Sequence, residues 1–253
     1  MSDEDFVTGM HAVLTALTRH PERVAALWVS SERGDRRMAR VLDAARAARV
    51  RFHAVPRARL DELAGTPRHQ GVVARLHASA VGGERELEAR LAEPPANALF
   101  LVLDGVQDPH NLGACLRVAD AAGAHGVVLP RDRSAPLSAA ARRAASGAAE
   151  TVPVYQVTNL ARTLDALKEA GIWLYGASQE AEAGLYDTDL GGAAAVILGG
   201  EARGLRRLTR ERCDRLVRIP MAGSVESLNV SVAAGIVLYE IVRQRRARAA
   251  PAR

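Results

Sequence analysis

The chain has 253 residues, of which 48% are hydrophobic, and its formal net charge is +5. This length allows one large domain or two modest ones, with enough apolar residues for a proper core. No apolar run approaches the roughly 20 residues of a membrane helix, and residues 1–5 are acidic, unlike a signal peptide. We therefore expect a cytoplasmic protein. Cys115 and Cys213 have no CxxC partner, which argues against a disulfide framework or a metal site.

Residues 1–77 alternate helical and extended patterns, which predicts a small α/β domain with about three strands or more. The predicted helices span residues 10–17, 35–48 and 57–64, and the predicted strands span residues 24–29, 51–55 and 71–76. This segment has a net positive charge, nearly all of it from arginine. That charge is compatible with a nucleic-acid partner but does not establish one.

Residues 78–95 differ in composition from both flanks. They contain Gly82-Gly83, Pro94-Pro95 and a short, net acidic segment. Glycine and proline pairs are typical of connections between domains. We predict a linker with a turn or two of helix, which divides the chain into residues 1–77, 78–95 and 96–253.

Residues 96–253 alternate longer apolar strands with helices, which predicts a parallel sheet covered on both faces and therefore an α/β fold. The predicted strands span residues 98–103, 126–129, 152–155, 172–176, 194–198 and 216–219. The predicted helices span residues 112–122, 137–145 and 160–170, a short segment after residue 204, and residues 227–246.

The first polar cluster, residues 108–117, follows the first of these strands. Asn111 is predicted to cap a helix whose apolar stripe faces the sheet. Arg117 lies off that stripe, and Gly113 would let a ligand or another backbone come close to the helix. The alternative is an ordinary capped helix with a solvated arginine.

The second cluster follows the strand at residues 194–198. The strand ends in Gly199-Gly200, and Glu201 comes next. Ligands of parallel sheets gather at the carboxyl ends of strands, beside backbone that glycine permits. The spacing is not GxGxxG, so a dinucleotide fingerprint is poorly supported. The alternative is a turn and a helix start, with Glu201 favourably placed on the helix dipole.

The third cluster, residues 219–235, precedes and enters the last helix. Ser224 or Ser227 is predicted to cap this helix, which would place Asn229 and Ser231 inside its first turns. Both are mediocre helix formers, and a local rule broken beside a turn suggests a functional site. The alternative is two caps that compete, with Asn229 bonded to a loop.

Taken together, "DGVQDPHNLGACLRVADAAG", "LGGEARGL" and "IPMAGSVESLNVSVAAGIVLYE" resemble, in order and spacing, the three motifs of the SpoU family of RNA ribose 2′-O-methyltransferases. "GMHAVLTAL" and "HQGVVARL" in residues 1–77 resemble the small ribosomal-protein-L30e-like RNA-binding domain of one branch. That branch contains bacterial enzymes that methylate a guanosine of 23S rRNA, which is the activity we expect here.

The resemblance implies a C-terminal SPOUT domain with a mostly parallel sheet and a deep trefoil knot, a rare exception to the rule that chains do not thread themselves. It also implies S-adenosylmethionine as cofactor, no metal, and a homodimer with the site near its interface. The cofactor site would be lined by Gly199, Gly200, Ile219 and Leu228, with Ala177 and Met221. Catalysis and RNA binding would fall to Asn111, Arg117, Glu201, Ser227 and Asn229.

Methyl transfer from a sulfonium to a hydroxyl has a neutral thioether as leaving group, so the difficulty lies in removing the proton of the ribose 2′-OH. No His, Cys or Lys in the motifs is an obvious base, and His110 is a minor candidate. The resemblance points to Arg117. Because the pKa of arginine lies above about 12, we expect this residue to fix a phosphate and stabilise the developing alkoxide.

Several alternatives remain open from the sequence. Within the same class, the substrate could be tRNA or another rRNA site. From other classes, the chain could be a non-catalytic RNA-binding ribosome-assembly factor on the same fold, or a nucleotide-dependent Rossmann enzyme. In residues 1–77, Arg33, Arg36, Arg37 and Arg40 are candidates for phosphate contacts, with a solvated helical face as the alternative.

Overall fold

The computed structural model describes residues 5–19, 21, 24–76, 81–200 and 204–249. The chain divides into two compact units, Met1–Ala80 and Val81–Arg253, which are described separately. None of the helices in these described ranges has the length and apolarity that crossing a bilayer requires.

The first unit is a four-stranded sheet with helices, in the strand order β1-β4-β2-β3. Strand β4 is antiparallel to β1 and β2, whereas β2 and β3 are parallel. Alternate residues of the central strands, among them Leu27 and Ala74, are buried in one core with residues of α1 and α2. The elements are β1 (Asp5–Thr8), α1 (Met10–Arg19), β2 (Val24–Ser30), α2 (Arg36–Ala47), β3 (Phe52–Val55), α3 (Arg57–Ala64) and β4 (Val72–Leu76).

The second unit contains a seven-stranded sheet in the order β7-β6-β5-β10-β8-β11-β9, and each neighbouring pair is parallel. This sheet confirms the predicted α/β class. The elements are α4 (Glu84–Ala92), β5 (Leu99–Asp104), α5 (Pro109–Ala121), β6 (Gly126–Pro130), α6 (Ala139–Ala145), β7 (Val154–Val157), α7 (Leu160–Glu169), β8 (Trp173–Ala177), β9 (Ala183–Gly184), β10 (Ala194–Gly199), α8 (Arg207–Arg212), β11 (Arg215–Arg218) and α9 (Val230–Ala249).

The central strands of this sheet are covered on both faces, as their near-continuous apolar runs predict. Every residue of β5 is buried. Its alternate residues enter different cores: Leu101 packs with residues of α5, α6 and α9, whereas Phe100 packs with residues of α4 and α7. This arrangement leaves the carboxyl ends of the strands as the edge where polar groups gather.

The segment predicted as a linker differs from a free connection in its second half. Helix α4 buries Leu87 and Leu91, which are four residues apart and therefore share one helix face, in the core beside α7. The carboxylate of Glu84 accepts hydrogen bonds from the backbone N and the hydroxyl of Thr158, at 2.9 and 2.7 Å. Residues from Val81 onward are thus part of the second unit.

Two predicted helix starts are wrong. Helix α5 begins at Pro109, and the carboxylate of Asp108, not the amide of Asn111, caps it by accepting from the His110 backbone N at 2.9 Å. Proline suits the first helical position because the missing N–H there needs no partner.

The last helix begins later than predicted. Helix α9 starts at Val230, and the side chain of Asn229 caps it by accepting from the Ser231 backbone N at 2.8 Å. The predicted caps Ser224 and Ser227 lie before the helix and are exposed. Asn229 is therefore a helix cap, which removes the apparent conflict with its poor helix propensity.

Candidate active site

Four adjacent strands end together at one edge of the second sheet. Strand β10 lies between β5 and β8, and β11 follows β8, all in parallel. In this register Gly199 lies opposite Asp104, and Val217 lies opposite Ala177. The predicted cofactor residues are therefore at the ends of three of these four strands: Ala177 ends β8, Gly199 and Gly200 lie at the end of β10, and Ile219 follows β11.

Backbone contacts hold the loop that follows β10 against the end of β5 and close the loop on itself. The backbone N of Gly200 donates to the carbonyl of Asp104 at 3.1 Å, and that of Gly204 donates to the carbonyl of Gly200 at 2.9 Å. A Cβ on Gly199 would overlap the backbone of Gly204, and one on Gly200 would overlap the carbonyl of Gly105. Both glycines are thus required by close backbone approach. Glu201 lies outside the described residues.

The apolar residues predicted to line the cofactor site share one core. Ile219 is buried, and Ala177 and Leu228 are half-buried and pack against the same cluster. Met221 is also half-buried. Half-buried apolar side chains beside backbone donors and acceptors suit an adenine ring and a methionine chain, so this set fits S-adenosylmethionine in its chemistry.

Two of the predicted catalytic residues touch. The side-chain amide of Asn229 donates to the side-chain oxygen of Asn111 at 2.9 Å, although 118 residues separate them in the chain. The other oxygen of this pair, Oδ1 of Asn229, accepts from the hydroxyl of Ser231 at 2.6 Å. This contact joins the first turn of α5 to the start of α9 and brings the first and third sequence clusters together.

Arg117 and Ser227 are exposed, the former on α5 and the latter in the loop before α9. The structure places both on elements that meet at the Asn111–Asn229 contact but gives no bond between them. Gly113 is buried, and a Cβ there would overlap the carbonyl of Ala141 and the side chain of Ala144 on α6. Gly113 thus allows α5 to pack closely against α6. The predicted close approach is made by the backbone of α6 and not by a ligand.

Asp104 and Arg206 are two residues of this edge that are not among the predicted site residues. The Asp104 side chain is fully buried and forms an ion pair with the half-exposed Arg206, with Nε–Oδ1 at 3.1 Å. Asp104 stands at the end of a buried apolar run, where a carboxylate is costly unless it is paired. The sequence thus shows that Asp104 needs a partner. It does not show which residue that partner is, because Arg206 lies 102 residues away.

Cys213, which lies between α8 and β11, is not a reactive thiol. Burial, followed by the charge of Asp214, raises the pKa of Cys213 to about 12, so its thiol stays protonated and unreactive near neutral pH. Across the described residues, no group of three or more His, Cys, Asp or Glu side chains is arranged to hold a metal ion.

Models of two protein families match the chain. The SpoU rRNA Methylase family model matches residues 98–239, which is more than half of the chain. A model described as RNA 2′-O ribose methyltransferase substrate binding matches residues 6–81.

Two relatives with similar sequences carry the same name. The 23S rRNA (guanosine-2′-O-)-methyltransferase RlmB of Shewanella oneidensis is 50% identical over 246 residues, which cover 97% of this chain and 100% of that protein. The protein of the same name from Ralstonia nicotianae is 54% identical over 247 residues, which cover 97% of this chain and 98% of that protein.

Solved structures agree with these relatives. The SpoU methyltransferase AviRb from Streptomyces viridochromogenes has a TM-score of 0.78 and 26% identity, covering 97% of this chain and 91% of that one. Its complex with the cofactor AdoMet has a TM-score of 0.76 and 27% identity, covering 96% and 91%. By its sequence motifs, its sheet and these matches, the chain belongs to the SpoU rRNA methylase family.

Proposed function

We propose that this chain transfers a methyl group from S-adenosylmethionine to the ribose 2′-hydroxyl of a guanosine in 23S rRNA. The observation that carries this proposal is the contact between Asn111 and Asn229, beside the edge where β10 ends at Gly199. The names of the relatives, which cover nearly the whole chain, supply the substrate and the nucleotide.

The cofactor would be held at the carboxyl ends of β8, β10 and β11. Backbone groups of Gly199 and Gly200 would face its polar parts, while Ala177, Ile219, Met221 and Leu228 would contact its apolar parts. When bound, the group supplies an electrophilic methyl on a sulfonium, and the neutral thioether it leaves needs no proton. The chain's own residues therefore act on the ribose and not on the leaving group.

Arg117 would fix the phosphate beside the target and stabilise the negative charge that develops on the 2′-oxygen while the proton of this hydroxyl passes to water. Asn111, Ser227 and Asn229 would orient the ribose, and holding that oxygen in line with the methyl supplies much of the rate. Glu201 would hold Arg117 or a ribose hydroxyl. The Asn111–Asn229 bond supports this assignment because it fixes two of these side chains before RNA arrives.

We further propose the deep trefoil knot of the SPOUT superfamily and a homodimer whose interface lies near the site. Helix α9 exposes Val232 and Tyr239, each 49% accessible, with the half-buried Ile236 between them on the same stripe. Apolar side chains of this size on one helix face suit burial against a second copy of the chain. The site would then sit beside this interface, because Asn229 caps the start of α9.

Residues 1–77 would select the RNA, residues 78–95 would connect, and residues 96–253 would carry the methyl transfer. The match of residues 6–81 to a substrate-binding family supports the first role. Arg36, Arg37 and Arg40 are exposed on α2 and are available to phosphates. Arg33 donates to the carboxylate of Asp35 and to the carbonyl of Gln70, both at 2.6 Å, so its guanidinium holds the loop before α2. A 23S rRNA substrate implies a cytoplasmic location.

The test is an Arg117→Ala variant, with Arg117→Lys as its matched partner. Purified protein is incubated with 23S rRNA and labelled S-adenosylmethionine, and cofactor affinity is measured by calorimetry. We expect Arg117→Ala to lose at least about 100-fold in transfer rate, the order expected when one preorganised donor is removed, with cofactor affinity unchanged. Transfer at the wild-type rate would refute the role. In a parallel reaction of the wild-type protein with tRNA, labelling of the tRNA when the 23S rRNA stays unlabelled would replace rRNA as the substrate.

A further inference from the structure

The buried carboxylate at the end of β5 joins both ends of the loop that follows β10. The Asp104 backbone carbonyl accepts from the backbone N of Gly200 at 3.1 Å. Its side-chain Oδ2 accepts from the backbone N of Arg206 at 3.0 Å, while Oδ1 is 3.1 Å from Nε of the same arginine. Asp104 thus holds Arg206 by its backbone and its side chain at once.

The guanidinium of Arg206 lies against the backbone of Gly105. Its Nη2 is 3.3 Å from the position that a Cβ on Gly105 would occupy, and Gly105 has a φ of +89°. A side chain at this position would therefore be strained and would crowd the guanidinium. Within the described residues, Nη2 is buried and has no hydrogen-bond acceptor.

Such an arginine has little freedom left to lose. Its backbone N donates to the fully buried carboxylate of Asp104, and its guanidinium forms an ion pair with the same carboxylate. The side chain is nevertheless 39% exposed, at the strand ends where the proposed substrate must approach. A half-exposed arginine side chain that is paired with a buried carboxylate can present its solvent-facing part to an anion, and the guanidinium fork matches the geometry of phosphate.

We propose that Arg206 binds a phosphate of the RNA strand beside the target nucleotide, and that Asp104 is the positioning residue that orients its guanidinium. This inference rests on the proposed function, since RNA is the polyanion that this edge would meet. It adds an arginine to the substrate-binding surface that neither of the first two sequence clusters had pointed to.

Arg207 provides a matched control for Arg206. It is the next residue, also an arginine, with a side chain that is 76% exposed and paired with Glu211 four residues later on α8. The variants Arg206→Ala and Arg207→Ala remove the same charge from neighbouring positions. A difference between them thus reports the site of Arg206 and not the net charge of the protein.

Binding of the full-length variants to a transcribed 23S rRNA fragment is measured by filter retention at several salt concentrations, and cofactor binding by calorimetry. For Arg206→Ala we expect about tenfold weaker RNA binding, the usual loss for one hydrogen-bonded phosphate contact, and a slope of log affinity against log salt that is smaller by about 0.9. Arg207→Ala should change affinity by less than about twofold. Cofactor affinity should stay unchanged in both. Arg206→Lys keeps the charge but not the fork, so it should fall between wild type and Arg206→Ala.

The positioning role of Asp104 has its own readout. Asp104→Asn should weaken RNA binding in wild type but cause no further loss in the Arg206→Ala background, because residues that act as a unit are not additive. Equal effects of Arg206→Ala and Arg207→Ala would overturn the proposal, as would a loss of cofactor binding that accompanies the loss of RNA binding. Methyl transfer by the wild-type protein is recorded in parallel. If it fails while the two alanine variants still differ in RNA binding, the proposed function fails and this inference stands.

Discussion

A substitution at Gly113 tests how α5 is held against α6. A Cβ at this position would overlap the Ala141 carbonyl and the Ala144 side chain, and would lie 2.9 Å from the Ala145 backbone N. Because two of these three atoms belong to backbone, α6 as a whole must move. Overpacking of this kind costs about 1–3 kcal/mol, while alanine in a helix gains about 1 kcal/mol over glycine. With backbone in the way we expect the upper end, so Gly113→Ala should lower the free energy of unfolding by about 2 kcal/mol.

Gly235 on α9 gives the matched control. Its nearest neighbour, a methyl of Val118, would be 3.9 Å from a new Cβ, which is ordinary contact. Gly235→Ala should therefore raise the free energy of unfolding by up to about 1 kcal/mol.

Urea unfolding is followed by the fluorescence of Trp173 in a Trp28→Phe background, so that the signal comes from the second unit alone. The two substitutions are predicted to have opposite signs. If Gly113→Ala stabilised the unit as Gly235→Ala does, the close packing of α5 on α6 would be refuted.

Three further predictions concern single side chains. Burial and the charges of two arginines lower the pKa of His125, whose Nδ1 accepts from the Leu99 backbone N at 3.0 Å. The imidazole of His125 therefore binds a proton more tightly in the unfolded chain than in the folded one. Its neutral form contributes fully to the free energy of unfolding above the ordinary pKa of 6.5, and this contribution is lost as the pH falls below that value. Melting temperatures at pH 7.5 and 5.5 should differ less in His125→Gln than in wild type, and an equal difference would contradict this. With its pKa raised to about 12, Cys213 should react with iodoacetamide at pH 8 at least about tenfold more slowly in the folded protein than in urea. Glu84→Ala should speed hydrogen exchange at the amide of Thr158, which donates to that carboxylate at 2.9 Å, whereas unchanged exchange would show that this contact does not hold the segment.

Local patterns predicted most of the elements because apolar periodicity and buried runs act within a few residues. The strand predicted at residues 194–198 is found as β10, one residue longer, and the helix predicted at residues 57–64 is found unchanged as α3. Strand β1 was not predicted, because its four residues are too few to show alternation. The start of α5 was wrong because Asn111 was preferred as cap over Asp108, although Pro109 favours the first helical position.

The site could be predicted only in part. The positions of Gly199 and Ala177 at strand ends follow from the parallel sheet, since all carboxyl ends of such a sheet share one edge. The bond between Asn111 and Asn229 and the pair of Asp104 with Arg206 join residues more than 100 apart. A local sequence pattern does not predict such contacts, because they depend on the order in which the strands lie in the sheet.

The central claim is that loops far apart in the chain form one site at which a sulfonium methyl meets a ribose oxygen. It is tested most directly by incubating the purified protein with labelled S-adenosylmethionine and unmodified 23S rRNA, followed by digestion to nucleosides. We expect the label to be recovered as 2′-O-methylguanosine from one position, and Arg117→Ala to incorporate it at least about 100-fold more slowly. Label on a base, or none with a protein that binds both cofactor and RNA, would contradict it.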